Sequence, residues 1–355
     1  MKRKMIYTMA AASFAIVLAG CGGGFSSPTS ESGGETKTGG QSGSSDPATG
    51  AETVYKVAFN QTETHPQYVA TTHLGERIAE STGGKCTLQV FPNETLGTQK
   101  DTIELVQAGS IDFALIAGSL LENFNDDFVV FNLPYTFDSQ EHQKSVINDP
   151  EIVGDLYSSI EDQNLTVLAG LHGGVRSIYN AKKPINTPAD LDGMKIRVIE
   201  SDTNLRMLEL MGGSGTPMGQ GEVYTAIQSG VLDGAENNPS IYSNLKHAEI
   251  APYYSYTRHL MFPDYLITSP TLLQTMDPDC VEALEAELPA MIDEEAELWV
   301  AEVDAATKAA EEAGAKFNEV DIAAFQDAIK PLVDEKITSD TAKQIYEKAR
   351  AAASK

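Results

Sequence analysis

The chain has 355 residues, of which 51 are Asp or Glu and 25 are Lys or Arg, so its formal net charge is −26. A charge of that sign and size argues strongly against nucleic acid and anionic membrane surfaces as partners. The length suits one large or two ordinary domains, with ample apolar residues for a core.

The N-terminus carries Lys2, Arg3 and Lys4, and an apolar segment follows over 5–17. That run is too short for a comfortable transmembrane helix and ends in small residues, which reads as a signal peptide. It closes on Leu18, Ala19, Gly20 and Cys21, similar to a bacterial lipobox, so residues 1–21 are expected to be a lipoprotein signal with Cys21 as the lipidated N-terminus. An acylated end anchors a chain to a membrane without spanning it. Residues 22–51 are rich in Gly, Ser and Thr and poor in apolar side chains, the composition of a flexible linker. A coil of that length reaches roughly 30 Å.

Folded structure is expected to begin with a strand over 54–59 and a helix from Pro66, with Ala70, Leu74 and Ile78 on one face and Gly83 and Gly84 at its end. A strand over 85–91, a helix marked by Ile103 and Val106, and a strand over 111–116 continue the alternation. This βαβαβ order predicts a mostly parallel sheet with helices on both faces. A helix over 151–163 and a strand over 166–171 lead to Gly173 and Gly174, which read as the crossing into a second α/β domain. There Lys195, Arg197 and Ile199 alternate with Ile196 and Val198, the period of a strand with two distinct faces. Ser201 or Asp202 caps a helix with Leu205, Met207, Leu208 and Met211 that stops at Gly212 and Gly213.

A helix over 222–229, a strand ending in Asp233 and Gly234, and a strand over 253–257 follow, and a strand over 265–269 returns to the first domain. The chain is helical from Pro278, interrupted at Pro289, with a long helix over 290–313. At 1.5 Å per residue such a helix is about 36 Å long, enough to lie across two domains. A short edge strand over 317–320 and helices over 322–329 and 339–351 close the chain. Cys86 and Cys280 either pair in an oxidising compartment or remain buried thiols, and thiols are the expectation.

Ligand crevices in open α/β sheets border the carboxyl ends of strands, which makes Arg197 a candidate anion anchor. The plainer alternative is a surface salt bridge. A second strand-flanked arginine, Arg176, and the amides Asn237 and Asn238 favour the anchor, because guanidinium forks plus amides suit a carboxylate with hydroxyls nearby. The acidic surface is no obstacle, since screening over about 8 Å hides distant carboxylates from a cleft.

The order VRSIYNAKKPINTPADLDGMKIRV, then GTPMGQGEVYTAIQSGVLDGAENNP, resembles the solute-binding subunits of TRAP transporters, the DctP-type family. Upstream, GGKCTLQVFPNETLGTQKDTIELVQAGSIDFAL and FNLPYTF carry the same resemblance, which covers nearly everything from Val54 onward. It implies an α/β fold of the two-domain, type II periplasmic-binding-protein kind, with a ligand cleft between domains and a long spanning helix. The expected division is 52–173 with 263–302 and 330–355 as one domain, and 174–262 with 303–329 as the other.

The resemblance matches Arg197 to the family's carboxylate-binding arginine, Arg176 to a second ligand-side arginine, and Asn237, with its neighbour Asn238, to a ligand-contacting asparagine. Asn60 falls on a first-domain contact, His65 lies in the loop beyond it, and Gln99 and Glu94 flank a turn where polar contacts to the far end of the ligand are expected. Tyr179 and Tyr224 pack either the cleft wall or the core. Gln220 stands where the sialic-acid-binding branch has an aromatic residue, which disfavours that large ligand. The Asn237-Asn238 doublet, Leu121-Glu122-Asn123-Phe124 and Phe262-Pro263-Asp264 resemble the branch that binds sugar acids such as uronates, so a hexuronate or related sugar acid is expected, with a C4-dicarboxylate as the alternative. The implied partners are that organic acid and the membrane subunits of the transporter, small and large or fused. The protein is expected to be a monomer outside the cytoplasm, tethered to the cell membrane through Cys21.

Other classes fit less well. The three cysteines are too dispersed for a zinc cluster, and the histidines show no HExxH spacing. No GxSxG elbow or GxxxxGK[ST] loop occurs, and Gly219 and Gly221 lack the third glycine of a dinucleotide loop. No enzyme activity, cofactor or metal is expected. A lipid-tethered structural protein would not need two arginines facing a crevice.

Overall fold

The computed structural model describes residues 51–353; the signal segment, Cys21 and nearly all of the expected linker lie outside them. The first stretch runs β1 (Thr53–Ala58), α1 (Pro66–Ser81), β2 (Cys86–Phe91), α2 (Gln99–Gln107), β3 (Phe113–Ala117), α3 (Gln140–Ile147), α4 (Pro150–Ser158) and β4 (Thr166–His172). The second runs β5 (Arg176–Asn180), β6 (Lys195–Val198), α5 (Asp202–Leu210), β7 (Ser214–Pro217), α6 (Val223–Gln228), β8 (Gly234–Asn237), α7 (Pro239–Asn244) and β9 (Tyr253–Leu260). The chain ends with β10 (Pro263–Thr268), α8 (Pro270–Thr275), α9 (Pro278–Glu312), β11 (Lys316–Glu319), α10 (Ile322–Ile329), α11 (Pro331–Lys336) and α12 (Asp340–Ala352).

Local chemistry accounts for the first elements. Pro66 opens α1 at a position where its missing N–H is no loss, and His65 Nδ1 accepts from Gln67 N. Ala70, Leu74 and Ile78 form its buried face, as their spacing requires. Thr98 and Asp101 close a reciprocal capping box at the start of α2. Every residue of β3 is buried, matching its unbroken apolar run and its place in the middle of a sheet.

Two sheets result, in the orders β2-β1-β3-β10-β4 and β11-β9-β5-β8-β6-β7. β1 pairs with β2 and β3 in parallel, as the alternation predicts, but β10 enters antiparallel between β3 and β4. The first sheet is therefore mixed, because β10 returns from the second lobe in the opposite direction. In the second sheet β6 is parallel to β7 and β8, while β5 is antiparallel to β8 and β9. Both faces of β6 are covered: Ile196, Arg197 and Val198 are all buried, so its alternation does not separate a wet face from a dry one. β8 starts at Gly234, where the expected strand ended. A Cβ there would lie 2.1 Å from Tyr179 O, so glycine alone admits the β5 backbone.

α9 departs most from expectation. It is a continuous helix of 35 residues with Pro289 inside it. A mid-helix proline costs about 3 kcal/mol in isolation, but this helix is held on both sides of it. Arg77 of α1 bonds Glu287 and Glu294, while Ser240 and Asn244 of α7 both bond Glu302. Tertiary packing thus carries α9 from the first lobe to the second. Cys280 in its first turn is bonded to Cys86 of β2, with Cα atoms 6.2 Å apart. The expectation of free thiols is corrected: sheet and helix place the two sulfurs together despite 194 residues of separation. The expected helix over 151–163 is also shorter, ending at Ser158 before a separate 3-10 turn, Glu161–Gln163.

Candidate binding site between the two lobes

The ends of β1, β3, β6 and β8 face one another across a cavity with an empty volume of about 430 Å³. Its walls come from both lobes: Asn60, Gln61, His65, Gln67, Gln99 and Asp264 on one side, and Arg176, Arg197, Gln220, Asn237 and Asn238 on the other. Of the residues expected to contact the ligand, all but Glu94 line this space, and neither Tyr179 nor Tyr224 does.

Arg197 stands on β6, 2 % exposed. Its Nε donates to Met218 O at 2.8 Å and its Nη1 to Gln220 Oε1 at 3.2 Å. No carboxylate among the described residues forms an ion pair with it. Burial and the neighbouring Arg176 lower its pKa to about 10, so it remains a cation at neutral pH. A guanidinium in this state presents an N–H edge to an anion.

Arg176 is differently employed. Its Nε donates to Glu236 Oε2 and its Nη2 to Glu236 Oε1, both at 2.6 Å, and its Nη1 donates to Asn237 Oδ1 at 2.8 Å. Its carbon centre also sits 4.9 Å over the Phe262 ring. Glu236 is wholly buried. Burial opposes its charge, but Arg176 and the nearby His259 hold its pKa at about 2. Most of the Arg176 charge is therefore answered within the protein.

Asn237 accepts from Arg176 and donates at 3.2 Å to Gln220 Oε1, the same oxygen that receives Arg197 Nη1. Asn238 caps α7 through its Oδ1 and donates to Gly173 O at 2.9 Å. Gly174 adopts φ +78°, and a Cβ there would come within 2.5 Å of Asn238 Nδ2, so the crossing needs glycine on both counts.

On the opposite wall, Gln99 Oε1 accepts from Ala117 N. His65 packs edge-on against Trp299, and burial depresses its pKa to about 3, leaving it neutral. Gln67 Nε2 donates to His172 O at 3.0 Å and to Asp264 Oδ2 at 2.8 Å. Gln61 Oε1 and Gln220 Nε2 have no hydrogen-bond partner among the described residues.

Glu94 sits at the rim, where Oε2 accepts from Gly221 N of the other lobe at 3.2 Å. Glu122 makes a comparable link, accepting from Thr203 Oγ1 at the start of α5 at 2.6 Å. Tyr179 belongs to the aromatic core of the second lobe, against Tyr242 and Tyr254. Sequence reasoning missed Gln61, Gln67 and Glu236, and it met Asp264 only within the Phe262-Pro263-Asp264 resemblance, without placing it at the site. The one available signal was Glu236, a carboxylate in the short run Gly-Ala-Glu-Asn of a buried strand, which requires a buried cation.

A polar cavity between two α/β lobes, bridged by one long helix and lined by a buried guanidinium, defines a solute-binding protein. The model of the bacterial extracellular solute-binding protein family 7, DctP, matches residues 57–340, and the chain belongs to that family. It is 35 % identical to the protein YiiZ of Salmonella typhimurium over 80 % of this chain and 86 % of that one. A TRAP periplasmic solute-binding protein of Anaerococcus prevotii, solved with bound D-glucuronate, superposes with a TM-score of 0.82 at 37 % identity, covering 85 % of this chain and 98 % of that one. A counterpart from Xanthobacter autotrophicus, solved with bound β-D-galacturonate, gives 0.80 at 33 % identity over 84 % and 99 %. Family and neighbours are transport proteins, not enzymes, and their setting is extracytoplasmic. No helix among the described residues is long and apolar enough to cross a membrane.

Proposed function

We propose that this protein captures a hexuronate or closely related sugar acid and delivers it to the membrane subunits of a TRAP transporter. One observation carries the reading: Arg197 is a buried cation without a carboxylate partner among the described residues, facing a cavity walled by amides. In this reading Arg197 holds the acid's carboxylate, Arg176 and Asn237 fix the geometry around it, and Asn60, Gln61 and Gln99 meet hydroxyls from the opposite lobe. Uronates bound to similar proteins support the ligand class.

Capture would proceed by closure of 52–173, 263–302 and 330–355 against 174–262 and 303–329, favoured by contacts that exist only in the shut state. The receptor would act as a monomer held at the outer face of the cell membrane by a lipid on Cys21. Calorimetric titration of the purified protein with D-glucuronate, D-galacturonate and succinate tests the ligand class. Saturable binding of a uronate is expected, and binding of succinate alone would overturn the sugar-acid reading. Metabolic labelling with a fatty acid tests the anchor, with label lost in Cys21→Ser.

A further inference from the structure

We infer that Asp264 makes the cavity selective for acids with one carboxylate and rejects those with a second, a conclusion that rests on the sugar-acid reading above. The charges around the cavity lead to it. Arg176 is matched by Glu236 through two short contacts. Arg197 is thereby left as the cation available to a ligand among the described residues that line the space. Asp264, half-buried at the start of β10, is the carboxylate on the lining. Two arginines, Glu236 and Asp264 thus sum to neutrality before any ligand enters, and one acid group at Arg197 already makes the closed site an anion.

Hydrogen-bond capacity gives the same answer. Asp264 Oδ2 accepts from Gln67 Nε2, and that amide spends its other hydrogen on His172 O. No donor among the described residues reaches Asp264 Oδ1. This oxygen accepts hydroxyl hydrogens and has nothing to offer another acceptor. Burial raises the Asp264 pKa to about 6, which leaves it ionised above neutral pH. A uronate brings one carboxylate, and its remaining polar groups are largely hydroxyls that can turn a hydrogen toward Asp264. The corresponding hexaric acid differs by a second carboxylate, an acceptor without a hydrogen, with no cation to receive it. Like charges set together at a dehydrated contact are strongly unfavourable, enough for a difference of about 100-fold in affinity.

The test is titration calorimetry at pH 7.5 with D-glucuronate and D-glucarate on the wild-type protein and on Asp264→Asn. Wild type is expected to bind glucuronate about 100-fold more tightly than glucarate. Asp264→Asn is expected to shrink that ratio to about tenfold or less, chiefly by admitting glucarate. Wild-type affinities within threefold of each other would overturn the inference while leaving the sugar-acid reading intact, and this arm does not depend on the variant folding. An unchanged ratio in a variant that melts like wild type would also overturn it. Where wild type binds D-galacturonate in place of D-glucuronate the pair is D-galacturonate and D-galactarate, and binding of none of these acids would overturn the sugar-acid reading and this inference with it.

Discussion

Arg176 and Glu236 face each other from adjacent antiparallel strands and close a two-pronged ion pair, Nε to Oε2 and Nη2 to Oε1, each at 2.6 Å. The pair divides the labour between the two arginines. Arg176 is part of the fold's internal electrostatics, whereas Arg197, on the neighbouring side of β8, faces the cavity without a carboxylate ion pair among the described residues, as an anion anchor requires.

The two arginines should therefore fail in different ways. Arg176→Ala leaves the Glu236 carboxylate buried and unpaired, and it should lower the unfolding free energy of the ligand-free protein by about 3–5 kcal/mol. Arg197→Met gives up hydrogen bonds to Met218 O and Gln220. It should change stability by no more than about 1.5 kcal/mol and weaken acid binding by about 2–5 kcal/mol. Urea melts and calorimetric titrations of both variants check the division. Equal losses of stability would refute it.

Glu94 should act as a latch and not as a ligand contact. Its Oε2 holds Gly221 N across the lobe boundary, and a Cβ at Gly221 would lie 2.6 Å from that oxygen. Glu94→Ala should raise the dissociation rate about three- to tenfold, with little change in association. Under the proposed closure the contact forms only in the shut protein, and Glu94 does not line the cavity, so the factor should be the same for every acid bound. Stopped-flow release of two different uronates would show it, and a factor that depends on the acid would return Glu94 to the binding surface.

The bond between Cys86 and Cys280 should contribute stability without touching recognition. Neither residue lines the cavity, and the bridge ties β2 to the first turn of α9. Cys86→Ser with Cys280→Ser should lower unfolding free energy by about 2–4 kcal/mol. The dissociation constant for the acid, measured below the melting transition, should be unchanged.

A pH-dependent term should come from Glu295. This residue of α9 is wholly buried, accepts from Trp299 Nε1, and receives His172 N at 3.3 Å. Burial nevertheless raises its pKa from 4.5 to about 8. A folded-state pKa above the unfolded one means that protonation favours folding. The contribution is complete below pH 4.5 and is lost as pH rises toward about 8. Glu295→Gln cannot ionise, so its stability relative to wild type should improve steadily across that window by a few kcal/mol. Paired urea melts at several pH values test this, and a flat difference would contradict it.

Much of the architecture was legible because it is written at short range. The spacing of Ala70, Leu74 and Ile78, the cap at Ser201 and the stop at Gly212 depend only on neighbours within a few residues, and each appears where that chemistry puts it. The residues expected at the ligand, Glu94 excepted, also share one cavity, since strand ends collect at the crevice of an α/β sheet. Pro289 shows where the short-range rule gives way. Its local preference is to break a helix, and contacts from α1 and α7 on either side keep α9 whole.

Local sequence therefore placed most of the elements and their caps, and it put Arg197 on a strand end at the crevice. Tertiary structure alone decided which charges meet: Glu236 reaches Arg176 across 60 residues, Asp264 arrives on a strand that reverses direction within the first sheet, and Cys280 is carried to Cys86 by a helix. Periodicity and capping act through bonds and turns a few residues long, whereas the pairing of distant side chains depends on strand order and direction. That order is set within each sheet, where strands far apart in the chain come to pair.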